Sequence, residues 1–171
     1  SGRGEISTGL GFFDHMLSQL PHHGGIDLTV RVKGDLNVDE HHTIEDTALA
    51  LGECIKNALG SKKGIERYGF SLPMDEACAT VLLDFSGRAH LEWDLAPFSR
   101  EYVGDFPTEM TRHLFESFCM ASGTNMHIEA RGENTHHIIE AVFKGFGRAL
   151  STATAISEAW KGEVPSTKGV L

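Results

Sequence analysis

The feature that most constrains this chain is a motif that occurs twice, as HHTIE at 41–45 and as HHIIE at 136–140. On an α-helix, residues three and four positions apart share a face, so His41 and His42 both lie near Glu45, and the second copy has the same arrangement. Adjacent histidines diverge by about 100° around a helix, so each pair could reach two different centres. Because such a cluster is costly to bury unless it binds something, the HHxxE motif favours a metal site.

The two motifs belong to a longer internal repeat. Residues 15–35 align with residues 113–133, which places His15 on His113, and three residues drop out before the second motif. Identity outside the motifs is low, so the prediction depends on the shared order of helix and strand patterns. The chain is therefore predicted to be one domain, residues 1–171, composed of two pseudo-symmetric halves at about 1–69 and 70–171.

Apolar periodicity predicts the same helix–strand–helix order in each half. The predicted elements of the first half are a helix over 12–20, a strand over 26–32 and a helix over 42–59, and those of the second half are a helix over 111–121, a strand over 126–131 and a helix over 137–154. Alternating residues over 81–85 and 91–95 predict a hairpin around the turn at 86–88. Only 14 residues precede His15, so the repeat predicts that the first half lacks its opening strand.

Composition excludes several classes of protein. The chain has 171 residues, 40% of them hydrophobic, which is enough for one substantial core. A formal charge of −9 argues against general binding to nucleic acid, which needs a basic face. The sequence has no apolar run that could cross a bilayer and no signal-peptide pattern. Its three scattered cysteines are typical of free core thiols in a cytoplasmic protein.

Eight side chains form two equivalent sets of potential metal donors, namely His15, His41, His42, Glu45, His113, His136, His137 and Glu140. Divided between two ions they supply four donors each, which leaves about two positions of a six-coordinate ion for substrate or water. Imidazole and carboxylate without thiolate suit Mn²⁺, Fe²⁺ or Zn²⁺, and open octahedral sites favour Mn²⁺. Solvated surface histidines are the simpler interpretation of a single HHxxE motif, but two copies in register within a repeat argue against it.

Seven stretches of the chain closely resemble the imidazoleglycerol-phosphate dehydratase family of histidine biosynthesis: GLGFFDHML (9–17), GDLNVDEHHTIEDTALALGE (34–53), ERYG (66–69), PMDEA (73–77), LDFSGR (83–88), HHIIEAVFKGFGRAL (136–150) and PSTKGVL (165–171). The resemblance implies an α+β fold made of an internally duplicated α/β unit, with two four-stranded sheets backed by helices. It implies a lyase that dehydrates D-erythro-imidazole-glycerol phosphate to imidazole-acetol phosphate with two Mn²⁺ ions per active site. It also implies a homo-oligomer of 24 subunits with active sites between subunits, in the cytoplasm, or in plastids if the source is a plant.

The resemblance implies roles for individual residues as well. The eight potential metal donors fall on the family's metal-ligand positions. The positions that contact the substrate or its phosphate are Gln19, His23, Arg67, Arg88, Lys144, Ser166, Thr167 and Lys168. A glutamate that is a candidate acid/base in the family lies in a stretch that would precede residue 1, so the catalytic proton carrier is left unassigned.

Two other classes of function stay open at the level of the sequence. A two-metal hydrolase, such as a phosphatase or amidohydrolase, also uses His/Glu clusters with open positions, although it usually needs a bridging carboxylate. A storage or structural assembly would use bound metal only to order contacts between subunits. Phosphate release from generic esters would indicate the hydrolase, and closed coordination with no pocket near Arg88 and Lys168 would indicate the assembly.

Overall fold

The structure, a computed structural model, describes residues 1–70 and 73–171. Within these residues the chain forms four α-helices: α1 (Gly11–Gly24), α2 (His41–Leu59), α3 (Met110–Ser122) and α4 (Thr135–Thr154). The strands are β1 (Gly4–Ser7), β2 (Leu28–Arg31), β3 (Tyr68–Gly69), β4 (Pro73–Met74), β5 (Ala77–Asp84), β6 (His90–Leu95), β7 (Tyr102–Val103), β8 (Phe106–Pro107) and β9 (Asn125–Arg131). A 3₁₀ turn, Glu158–Trp160, precedes the C-terminal segment.

The four predicted helices are confirmed, and their apolar residues face the core. In α2, for example, Ile44, Ala48 and Leu51 are buried on one face at helical spacing. Both α1 and α3 end at a glycine in the left-handed conformation, Gly25 and Gly123, where the lack of a Cβ atom removes the steric penalty. The strands predicted over 26–32 and 126–131 are present as the shorter β2 and as β9 respectively.

The larger sheet has β9 between β5 and β6. Strand β5 pairs antiparallel with one edge of β9, which places Val81 opposite Ile128, and β6 pairs parallel with the other edge, which places Trp93 opposite the same residue. The predicted hairpin around 86–88 is therefore wrong, because β5 and β6 do not pair with each other within the described residues. A turn signal shows that the chain changes direction, but it cannot show that a later strand pairs between the two flanking ones.

The two sheets differ in size, which corrects the prediction of two four-stranded sheets. Strands β3 and β4 pair with successive parts of one edge of β5, so the five strands of the larger sheet occupy four positions. In the described part of the first half, the chain before α1 supplies one strand, so β1 and β2 form only a parallel pair with Ile6 opposite Val30. A separate hairpin, β7 and β8, lies between β6 and α3. The pseudo-twofold equivalence of the halves stays a prediction.

The helices pack in pairs, α1 against α4 and α2 against α3. Close approach at each crossing requires glycine. A Cβ atom on Gly52 of α2 would lie 2.8 Å from the carbonyl oxygen of Phe118 and equally close to Ala121, both on α3. A Cβ atom on Gly147 of α4 would lie 3.1 Å from the carbonyl oxygen of Gln19 on α1. The contact at Gly52 is too short for a larger residue, and that at Gly147 is tighter than an ordinary contact, so glycine sets the distance between α2 and α3.

The hydrophobic core lies between the helices and the larger sheet. Alternate residues of β5 and β9 are buried on the inner face of this sheet, and the intervening residues are more exposed.

Of the three cysteines predicted to be core thiols, Cys119 is buried, and burial raises its pKa to about 12. Cys54 is exposed on α2, so the prediction is wrong for that residue. No helix of the described chain is long and apolar enough to cross a membrane.

We expect Gly52→Ala to lower the free energy of unfolding by about 1–3 kcal/mol, because the added methyl group would overpack the α2–α3 crossing. Gly11→Ala is the matched control, since a Cβ atom there meets only a carboxylate oxygen of Asp105, at 3.7 Å. Chemical denaturation followed by circular dichroism would measure both variants. A Gly52→Ala variant as stable as the parent protein would show that glycine does not set this helix separation.

Candidate metal centre

Two histidines and a glutamate converge where α1 crosses α4. The Nε2 atom of His15 lies 3.7 Å from Oε1 of Glu140, and the Nε2 atom of His136 lies 3.3 Å from Oε2 of the same residue. His136 and Glu140 share a face because they are four residues apart on α4. One donor atom from each of the three residues lies within 4.8 Å of the other two. We call these three side chains the first group.

The crossing of α2 and α3 holds a second group with the same kinds of donor, namely His41, Glu45 and His113. The two carboxylate oxygens of Glu45 lie 3.4 Å from the Nε2 atoms of His41 and His113 respectively. The two imidazole rings are 4.8 Å apart between centroids, and the three donor atoms again lie within 4.8 Å of one another. Each crossing therefore gathers two imidazoles and one carboxylate.

Each group combines side chains from different halves of the chain. His15 joins the HHxxE motif of the second half, and His113 joins that of the first. Three donors meet at each crossing instead of the predicted four, because His42 and His137 lie about 100° further round their helices than the histidines that precede them. Local spacing could not indicate which upstream histidine meets which motif, since that depends on how the helices cross.

The donor atoms of both groups fit a divalent cation. The Nε2 atom of His113 is buried and has no hydrogen-bond partner among the described residues, and a metal ion would satisfy it. Burial raises the pKa of the Glu140 carboxyl, but the hydrogen bond from Lys144 at 3.0 Å and the charges of Lys144, His15 and His136 together bring the pKa below its usual value. Glu140 is therefore ionised as a metal ligand must be, and the nitrogen and oxygen donors suit Mn²⁺, Fe²⁺ or Zn²⁺.

His42 and His137 stand outside both groups and contact carboxylates instead. The Nδ1 atom of His42 lies 2.9 Å from Oδ2 of Asp35, and the Nδ1 atom of His137 lies 2.8 Å from Oε2 of Glu76. These hydrogen bonds raise the pKa of both histidines, and they lower the pKa of Asp35 and bring that of Glu76 to about 2. Two of the eight predicted donors are thus not brought together with the other six in this chain.

A polar stripe extends the first group along the α1–α4 crossing. Gln19 and His23 follow His15 at intervals of four residues on α1, and Lys144 follows Glu140 at the same interval on α4. Burial lowers the pKa of His23, so its ring is neutral at pH 7. The second group has no such extension, because the positions that the repeat aligns with this stripe are occupied by Ser117, Ala121 and Leu49.

The residues expected near the phosphate line one pocket of about 750 Å³, and they are Arg67, Arg88, Ser166, Thr167 and Lys168. They come from three distant parts of the chain, so spacing alone could not have shown that they meet. The C-terminal segment forms one wall of the pocket. The structure therefore gathers basic and hydroxyl side chains in a single concave site, as recognition of a phosphate requires.

Arg67 is held in place by contacts of its own. Its guanidinium group donates to both carboxylate oxygens of Asp84, at 2.5 and 2.9 Å, and to the carbonyl oxygen of Pro165 at 2.9 Å. The hydrogen bonds to Asp84 raise the pKa of Arg67. Asp84 balances the charge of Arg67. The pocket is also lined by two other cationic side chains, Arg88 and Lys168, whose charges Asp84 does not balance.

Three carboxylates that contact expected site residues were missed from the sequence, namely Asp35, Glu76 and Asp84. Each lies within one of the stretches that resemble the family, GDLNVDEHHTIEDTALALGE, PMDEA or LDFSGR. An acidic residue in a stretch of that kind is the signal that could have identified them. Their partners could not be identified in the same way, because Glu76 and Asp84 contact residues far away in the sequence.

Comparison with known protein sequences supports the same family. Residues 8–150 match the sequence model of the family described as IGPD: Imidazoleglycerol-phosphate dehydratase. The histidine biosynthesis bifunctional protein HisB of Bacteroides fragilis is 59% identical over 170 residues, which cover 99% of this chain and 45% of that protein. HisB of Spirosoma linguale is 57% identical over 170 residues, which cover 99% of this chain and 44% of that protein. The chain thus spans about half the length of the curated relatives it matches.

Solved structures agree with the sequence comparison. The imidazoleglycerol-phosphate dehydratase of Staphylococcus aureus superposes with a TM-score of 0.84 at 39% identity, covering 91% of this chain and 89% of that chain. The enzyme of Pyrococcus furiosus, solved in complex with (S)-C348, superposes with a TM-score of 0.82 at 32% identity, covering 99% of this chain and 91% of that chain. The resemblance predicted from the seven stretches is confirmed, and the chain belongs to the imidazoleglycerol-phosphate dehydratase family.

Proposed function

We propose that this protein is a lyase of histidine biosynthesis that dehydrates D-erythro-imidazole-glycerol phosphate to imidazole-acetol phosphate with two Mn²⁺ ions. The two groups of two imidazoles and one carboxylate, one at each helix crossing, support this function most directly. The names of similar proteins refer to histidine biosynthesis and to this dehydratase. A pocket lined by arginine, lysine and hydroxyl side chains also suits a phosphate ester.

The chain's own residues would bind both ends of this substrate. When bound, the two ions would act as Lewis acids that stabilise negative charge on the substrate's imidazole ring. Arg88 and Lys168 would supply positive charge to the phosphate, and the hydroxyl groups of Ser166 and Thr167 would donate hydrogen bonds to it. With its imidazole and phosphate ends both bound, the substrate would hold the carbon atoms between them, which take part in the loss of water, in a fixed orientation.

The polar stripe supports different roles for the two groups. Gln19, His23 and Lys144 add hydrogen-bonding side chains beside the first group, so this group is the one we expect to contact polar atoms of the substrate. Glu45 and Glu140 serve as ligands in this scheme, which leaves the carrier of the proton unassigned.

We further propose that neighbouring copies of the chain complete the metal sites. Each group supplies three donors, and a six-coordinate ion has room for a further imidazole as well as for substrate. His42 and His137 are the two predicted donors that lie outside both groups, so they are available to groups on another copy. Sharing of this kind supports a homo-oligomer, with 24 subunits as the number that the resemblance implies.

Incubation of the protein with imidazole-glycerol phosphate and Mn²⁺ should yield the enol or ketone product. His42→Ala and His137→Ala should each abolish turnover but leave the helices folded, because the apolar stripes are untouched. His90→Ala removes an exposed histidine outside both groups and should retain activity. Release of inorganic phosphate would instead indicate a hydrolase, and Mn²⁺ binding without any product would indicate a storage or structural assembly.

Affinity for Mn²⁺ should fall steeply as the pH is lowered from 8 to 5.5, because six of the eight proposed ligands are imidazoles and protons compete with a metal for an imidazole, whose pKa in free histidine is about 6.5. The carboxylates beside His42 and His137 raise the pKa of these two rings, so protons compete with the metal at them from a higher pH. Calorimetric titration with Mn²⁺ at several pH values would measure the change. Constant affinity across this range would mean that histidines are not the main ligands.

Removal of the metal should reduce the size of the particle as well as its activity, since ligands shared between copies link metal binding to assembly. Light scattering before and after chelation would measure this change. The His42→Ala variant with Mn²⁺ present should resemble the chelated parent protein. A large assembly that persists without metal would argue against metal-driven assembly, and a monomer with intact sites would rule out shared sites.

A further inference from the structure

The two histidines outside the metal groups share an arrangement that the function just proposed does not explain. In each ring a carboxylate oxygen lies within 2.9 Å of Nδ1, from Asp35 for His42 and from Glu76 for His137. Neither ring has a hydrogen-bond partner at Nε2 among the described residues. Each imidazole is therefore fixed at one nitrogen and open at the other.

The carboxylates reach their histidines from unrelated positions. Asp35 lies seven residues before His42, whereas Glu76 lies 61 residues before His137, in the turn between β4 and β5. The repeat aligns Asp35 with Glu133, yet His137 contacts Glu76. Duplication alone would have placed Glu133 beside His137. The two halves thus make the same carboxylate–histidine contact with carboxylates that the repeat does not align. We take this as an indication that the contact has a role of its own.

Glu76 is itself anchored to the start of α4. One of its carboxylate oxygens accepts a hydrogen bond from the backbone N–H of Asn134 at 3.1 Å, while the other contacts His137. The side chain of Asn134 in turn caps the helix by accepting from the backbone N–H of His136. Glu76 thus fixes the ring of His137 relative to the helix that carries the first group.

A neutral imidazole carries one proton, and the nitrogen without it can bind a metal. A carboxylate at Nδ1 keeps the proton there and leaves the lone pair on Nε2. We propose that Asp35 and Glu76 are positioning residues, which hold His42 and His137 in the Nδ1–H tautomer so that Nε2 of each ring binds a metal ion on a neighbouring copy. The proposal rests on the shared metal sites of the proposed function.

Loss of a carboxylate of this kind typically weakens metal binding by about 10- to 100-fold. We expect Asp35→Ala and Glu76→Ala each to lower the affinity for Mn²⁺ by that factor in calorimetric titrations at about pH 8. Asp35→Asn and Glu76→Gln keep an oxygen that can accept the Nδ1 proton, so they should recover most of the affinity. This rescue would not be expected if only charge mattered.

Asp46→Asn and Asp75→Asn are matched controls. Asp46 acts on His42, and Asp75 on His137, through charge alone and without a hydrogen bond. Each substitution therefore removes one negative charge near the histidine but no hydrogen bond to it. Asparagine also tolerates the left-handed backbone of Asp75, whose φ is 48°. Both controls should bind Mn²⁺ within about twofold of the parent protein. Controls that lose as much affinity as the alanine variants would overturn the positioning role.

A second measurement covers variants that fold poorly. In the metal-free parent protein, ¹⁵N spectra of the histidine rings should show His42 and His137 with the proton on Nδ1, and Asp35→Ala should shift His42 towards the Nε2–H form. Parent rings with the proton on Nε2, or unchanged Mn²⁺ affinity in both alanine variants, would overturn this proposal alone. A parent protein that does not bind Mn²⁺ would overturn the proposed function, and the positioning role with it.

Discussion

The packing of the helices in pairs, α1 against α4 and α2 against α3, is the arrangement on which the rest of the structure depends. Because glycines allow close approach, side chains from the two halves meet at each crossing. The carboxylate of Glu140 is almost completely buried there, with Lys144 and two imidazoles within 3.7 Å. Burial of this carboxylate costs stability, although the imidazoles around it are partly exposed. A cluster with the same kinds of donor lies at the other crossing, and such repetition is typical of a functional site, where local rules of stability are broken.

The two crossings have the same donors but different surroundings. At the first, polar residues continue along both helices, so a bound molecule would meet amide, imidazole and ammonium groups in sequence. At the second, serine, alanine and leucine occupy the positions that the repeat aligns with these polar residues. This difference supports our proposal that the first group is the one that contacts polar atoms of the substrate.

Local patterns predicted the helices and the two HHxxE motifs, since these features depend on spacing within one element, and the internal repeat added His15 and His113, which complete the six donors of the two groups. The pairing of His15 with the second motif could not be predicted, because it depends on which helices cross. The hairpin at 86–88 failed for a related reason, since β9 pairs between strands that are adjacent in sequence. The resemblance indicated Arg67, but its neutralisation by Asp84 became visible only when the two residues were placed in space.

The contact between Arg67 and the carbonyl oxygen of Pro165 joins residues 98 positions apart and ties the C-terminal segment to the larger sheet. All eight proposed metal donors precede that segment in the chain. During synthesis, the helices that carry them leave the ribosome first, and the wall of the phosphate pocket follows. A nascent chain, or one cleaved after α4, would keep all eight proposed metal donors together with Arg67 and Arg88, but it would lack Ser166, Thr167 and Lys168 from the proposed phosphate pocket. Cleavage after α4 would thus separate the proposed metal donors from part of the proposed phosphate pocket.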